Sequence, residues 1–220
     1  MLVKIFLGIL IFILSCLVHE VGHLLVLLIT KIGVKEICFM FFTVSCDNFV
    51  IRLNDRVSPT IHIIPKVVDI LDEASYLDYK ARYVVSLAFG PLFSLLLVLG
   101  FLCLNNIFPA YYKIGVALNI FIFLSTLIDN RFGTGDVYAI YKILTHEDYL
   151  FSYLIEFYEY DSKAINQEQT LYFISKGFSI ISQFYNSNST NYDYTSVSII
   201  EEKANSLIKD GYCNANDKCY

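Results

Sequence analysis

The chain has 220 residues, 56% of them hydrophobic, and a mean hydropathy of +0.55, which excludes an ordinary soluble domain and points to a small membrane bundle with an appended piece; with no Trp, interfacial anchoring falls to the 17 Tyr and to Lys and Arg. Its formal charge of −5 is uneven: residues 1–146 carry 11 basic and 10 acidic side chains, net +1, whereas residues 147–220 carry 5 and 11, net −6. An acidic tail and the lack of a basic patch argue against nucleic acid as a partner.

The first predicted helix runs over about 2–30, ended by Lys31-Ile32-Gly33. Its apolar run continues past the faintly lipoprotein-like Leu14-Ser15-Cys16, which suits a span better than a signal peptide. Inside it lies His19-Glu20-Val21-Gly22-His23, an H-E-x-x-H pattern. Charged groups at mid-membrane cost about 2.5–3.5 kcal/mol each, so these residues need a function that offsets them. Positions i and i+4 share a helix face, so His19 and His23 can hold one metal ion while Glu20 acts as a general base on water. His23 lies about 12 Å inside the Lys31 end, which puts the site nearer that face.

Residues 34–66 change period. Val34–Val50 is rich in β-branched and aromatic residues, Cys46-Asp47-Asn48 reads as a turn, and Phe49–Leu53 resumes an extended pattern, giving one or two hairpins. Pro59 and Pro65 bracket Thr60–Ile64, where His62 reads as a packed or interfacial residue before it reads as a ligand. A polar, amphipathic approach over Asp69–Lys80 precedes a second span at about 83–104, with Gly90-Pro91 and Ser94 inside it. The third span, about 112–129, breaks at Asp129–Gly135 and gives way to a helix opening at Asp136. Irregular backbone at membrane depth suits a polar site, so Asp136 is the favoured acid, Asp129 its competitor, and a plain N-cap role for Asp136 also fits.

Lys31, Lys35, Arg52, Arg56, Lys66, Lys80 and Arg82 all fall between the first two spans, against Lys4 and Lys113 on the other side. The positive-inside rule then places residues 31–82 in the cytoplasm, the amino terminus outside and the carboxyl terminus inside, in a multi-pass protein of a bacterial cell membrane. From His146 onward the chain reads as an acidic, Tyr-rich helical domain, with helices over Tyr149–Tyr160, Gln167–Tyr185 and Thr195–Lys209. A cytosolic location would keep Cys213 and Cys219 reduced. The expected fold is therefore mainly α: a three-span core over 1–145 with a small membrane-associated β region at 34–66, and a helical cytoplasmic extension over 146–220.

Three features in order, His19-Glu20-Val21-Gly22-His23, Ser86-Leu87-Ala88-Phe89-Gly90-Pro91 and the broken third span ending in Asp136, resemble the site-2 protease family of intramembrane zinc metalloproteases. The likeness covers about residues 10–145. It implies that His19, His23 and Asp136 hold Zn²⁺, that Glu20 is the base, and that the 34–66 region presents a membrane-spanning or membrane-associated protein substrate as an added strand. Asn130, Gly90 and Pro91 take substrate-supporting places in that scheme. The chain departs from the family in lacking a Pro in the third motif and in having Gly135 before the acid, with Ser125, Thr126 or Asn130 standing where the family has Asn. Two other classes compete: an inactive relative serving as a membrane binding or immunity protein, and an ion-coupled transporter subunit, which three spans without an internal repeat disfavour.

Overall fold

The computed structural model describes residues 2–39, 41–54, 61–67, 70–107, 109, 111–130, 133–160, 167–186 and 192–209. Arg56, Pro59, Cys213, Cys219 and the side chains of Asn130 and His62 lie outside the described residues. The fold is mainly helical with a small antiparallel sheet. The chain divides into two units, one of Met1–Lys66 and Arg82–Ile140, the other of Val67–Ala81 and Tyr141–Tyr220. Residues 67–81, which the sequence presents as an approach to the second span, thus belong with the C-terminal helices.

In the first unit, α1 (Leu2–Ile29) is buried along Ser15, His19, Gly22, His23, Val26 and Leu27, one continuous helical face. Its opposite face is apolar and exposed, from Phe6 through Leu14 and Val21 to Leu28 and Ile29. The helix stops at Lys31 and Gly33, both with positive φ, and the Arg82 guanidinium donates to the Thr30 carbonyl at 3.0 Å. Four strands follow: β1 (Val34–Cys38), β2 (Phe42–Ser45), β3 (Val50–Leu53) and β4 (His62–Pro65). They form one antiparallel sheet in the order β3-β2-β1-β4, with the turn at 46–49 where the sequence predicts it. β3 is an edge strand, exposed at every position. An Arg52–Glu36 pair at 2.9 Å and an Asn54 side chain that accepts from Thr43 and donates to the Phe39 carbonyl tie the sheet together.

The predicted approach and second span form one unbroken helix, α2 (Glu73–Cys103), with Pro91 inside it. Asp72 caps its start, accepting from the Ser75 N–H at 2.8 Å, and this holds the Asp72 carboxyl below the usual carboxylate range. By length and composition α1 and α2 can each cross a membrane.

The expected third span is shorter than predicted. α3 (Tyr112–Ser125) has 14 residues, fewer than the roughly 20 a span requires. The Ser125 and Thr126 hydroxyls bond back to the Ile122 and Phe123 carbonyls at 2.6 and 2.7 Å, and the N–H groups of Thr126, Leu127 and Ile128 take i−3 partners, so the helix tightens and stops. A two-stranded ribbon follows, β5 (Asp129–Asn130) with β6 (Gly133–Thr134), before α4 (Asp136–Thr145).

The second unit is built on α5 (Glu147–Tyr160), α6 (Gln167–Asn186) and α7 (Tyr194–Leu207), within a few residues of the predicted bounds. Its core is aromatic: Phe173 stacks on Phe151 and on Tyr158, with ring centroids 5.4 and 4.8 Å apart, and Phe151 meets Tyr76 edge-on. Gly177 lets α6 close on Ile200 and Ala204 of α7. Lys176 pairs with Glu73 and lies 4.5 Å from the centre of the Tyr76 ring.

Candidate metal centre

Helical periodicity puts Ser15, His19 and His23 in a row on the inner face of α1, and His19 and His23 are both 7% exposed. Glu20, one residue round the helix, is half-buried, and a ligand atom from each of His19, Glu20 and His23 lies within 4.8 Å of the others. These three residues form a cluster able to hold a metal ion.

The acid comes from the start of α4. Asp136 Oδ2 lies 3.0 Å from His19 Nε2 and 3.4 Å from His23 Nε2, and the two Nε2 atoms are 3.3 Å apart. Donors about 2.0–2.1 Å from a tetrahedral ion stand about 3.3 Å from one another, so this triangle has the dimensions of three corners of such a shell. Because a carbonyl can only accept, the 2.8 Å contact from His23 Nδ1 to the Ser86 carbonyl puts the proton on Nδ1. A neutral His23 then offers its Nε2 lone pair toward Asp136 and His19. Lone pairs and a carboxylate this close repel unless a positive charge, from a proton or a metal ion, lies among them.

Two glycines make room. A Cβ on Gly90 would fall 2.2 Å from His23 Nε2 and 2.8 Å from His19 Nε2, in the cradle between the rings. A Cβ on Gly135 would fall 2.4 Å from the Thr126 carbonyl oxygen. That carbonyl accepts from the N–H groups of Val137 and Tyr138 at 3.0 and 3.1 Å, so the close approach of Gly135 ties the first turn of α4, and with it Asp136, to the end of α3.

Of the residues singled out from sequence, His19, Glu20, His23, Asp136 and Gly90 come together, Gly90 as backbone against the imidazoles. Pro91 is buried in α2 beside it. Asp129 is exposed, and its carboxylate accepts from the Thr134 hydroxyl at 3.1 Å. Sequence reading passed over two partners: the Ser94 hydroxyl, 2.9 Å from His19 Nδ1, and the Ser86 backbone carbonyl. For Ser94 the available signal is its place four residues after Gly90, on the same face of α2. Comparison with protein-family models, curated proteins and solved structures finds no match to this chain.

Proposed function

We propose that this chain is an intramembrane zinc metalloendopeptidase of the site-2 protease kind, cleaving membrane-spanning or membrane-associated proteins near the cytoplasmic face. The observation that carries the reading is the triangle of His19 Nε2, His23 Nε2 and Asp136 Oδ2, with sides of 3.0–3.4 Å, on the buried face of a span-length apolar helix. Two nitrogens and one carboxylate oxygen are a donor set suited to zinc, and three protein ligands are the number that leaves a catalytic position open.

Zinc held there would supply Lewis-acid polarisation and would lower the pKa of water toward about 7. Glu20 adjoins the ligands on the same helix and takes the proton from the attacking water, later delivering it to the departing amine. A substrate helix must first extend, because its carbonyls are tied up in i→i−4 bonds. Strand β3, an exposed edge, offers backbone groups that would hold the extended segment by strand addition. The apolar outer faces of α1 and α2 suit a lipid surround.

The test is a substrate-cleavage assay in membranes with Glu20→Gln. Cleavage should vanish while bound zinc persists, because the substitution removes the base and spares the three ligands. Proteolysis retained in that variant contradicts the assignment.

A further inference from the structure

We propose that Ser94 is a positioning residue that sets His19 as a metal ligand, and that Ser86-x3-Gly90-x3-Ser94 on α2 is the outer half of the metal centre. The inference rests on the metal reading above. A helix presents its groups in opposite directions: carbonyls point toward the C-terminus, whereas side chains lean back toward the N-terminus. The Ser86 carbonyl and the Ser94 side chain therefore converge, from opposite directions along α2, on the level of Gly90. At that level the missing Cβ leaves space for both imidazoles.

The two rings are held in the same way, each through Nδ1, on the side away from the triangle of Nε2 and carboxylate atoms. Ser86 O accepts from His23 Nδ1 at 2.8 Å, and Ser94 Oγ lies 2.9 Å from His19 Nδ1, with Ser94 fully buried. A ligating imidazole needs its proton on the nitrogen away from the ion, and an acceptor there fixes both the tautomer and the ring plane. For His23 a backbone carbonyl does this, and no side-chain substitution removes it. For His19 a hydroxyl does it, which makes Ser94 the partner that mutation can reach. With Ser94 Oγ as acceptor, the His19 Nε2 lone pair faces Asp136 Oδ2 and His23 Nε2, the triangle described above.

The experiment measures Zn²⁺ affinity of the full chain in detergent by chelator competition, together with the visible absorption of the Co²⁺-loaded protein, for Ser94→Ala, Ser94→Cys and Ser15→Ala. Ser15 is the control: its hydroxyl is equally buried on α1, one turn from His19, and accepts from Asn119 Nδ2 at 3.0 Å. Ser94→Ala should weaken Zn²⁺ binding about 10–100-fold and alter the Co²⁺ bands, while Ser15→Ala stays within about twofold of wild type. If Ser94→Ala does not fold, Ser94→Cys, close in size but a poorer acceptor, decides by the same two readouts. Unchanged affinity and unchanged Co²⁺ bands in the Ser94 variants overturn the proposal, as does an equal loss in Ser15→Ala, which would mark a packing effect. A wild-type chain that takes up neither ion contradicts the metal reading itself, an outcome distinct from failure of the Ser94 role alone.

Discussion

Polar side chains are buried in both units, but they keep different company. In the first unit, Ser15, His19, His23, Ser86, Ser94 and Asn119 are buried on helices whose outer faces are apolar and exposed. Most make specific contacts with another polar group: Ser94 with His19, the Ser86 carbonyl with His23, Asn119 with Ser15. In the second unit the buried set is dominated by Tyr76, Phe151, Phe173 and the aliphatic residues around them, and its buried polar groups are set singly among them, such as Thr170 hydrogen-bonded to Tyr158 at 2.7 Å. The interior of the first unit is arranged around two histidines and a carboxylate; that of the second is an aromatic and aliphatic helix core. A buried polar row costs free energy unless its members are satisfied, so its concentration around two histidines and one carboxylate is what the metal proposal explains, whereas an aromatic core contributes stability.

Three substitutions sharpen that contrast. The largest effect is expected from Gly90→Ala, whose methyl group would occupy the cradle 2.2 Å from His23 Nε2. Ion binding should fall by more than about a hundredfold, beyond what outer partners contribute, with helicity by circular dichroism retained. Normal ion uptake by this variant would show that the cradle is not the binding position. Next comes Phe173→Ala, which removes a fully buried ring stacked on two others. It should cost about 3–5 kcal/mol, seen as earlier denaturant unfolding of the C-terminal helices, and leave ion affinity unchanged. Loss of ion binding along with those helices would break the division of labour.

The smallest effect concerns Asp148. It is fully buried, its Oδ2 accepts from the Asp193 N–H at 3.0 Å, and its Oδ1 has no hydrogen-bond partner among the described residues. Burial pushes its carboxyl above the ordinary 3.8, against the pull of the Asp193 N–H. A carboxyl raised in the folded state binds its proton more tightly there than when unfolded. Its contribution to stability is therefore full below about pH 4 and is lost as the pH climbs through the folded value. Asp148→Asn should flatten that decline in a series of thermal melts between about pH 4 and pH 7. A slope identical to wild type would remove Asp148 as its source.

Much of this arrangement is written in local patterns. The i, i+4 spacing of His19 and His23 fixes their shared face, the Lys31–Gly33 stop ends α1, and the C-terminal helices follow from their periodicity and from turn-rich breaks. Non-local features were harder to read. β4 pairs with β1 rather than with β3, a choice that depends on packing across the sheet. α2 runs unbroken because its polar first turns are capped by Asp72 and continue in helical register into the apolar run, so the composition change at Tyr83 marks no boundary in the backbone. α3 ends early in a run of i−3 backbone bonds from Thr126 to Ile128, an outcome that apolar content alone does not reveal. In the site, Asp136 and Asp129 are equivalent by residue type. They separate through Gly135, which packs against the Thr126 carbonyl and brings the start of α4, not the β5–β6 ribbon, to the histidines. The Ser86 contact is made by backbone, which carries no sequence signal.

The central claim is that His19, His23 and Asp136 share one ion. Metal analysis of the full chain purified in detergent without chelator tests it most directly, comparing wild type with Asp136→Ala. The account predicts about one zinc per wild-type chain and a loss of more than about a hundredfold in affinity in the variant, since three protein ligands are needed for a catalytic site. A metal-free wild-type protein that remains folded and cannot be loaded, or a variant that binds zinc as tightly as wild type, would contradict it.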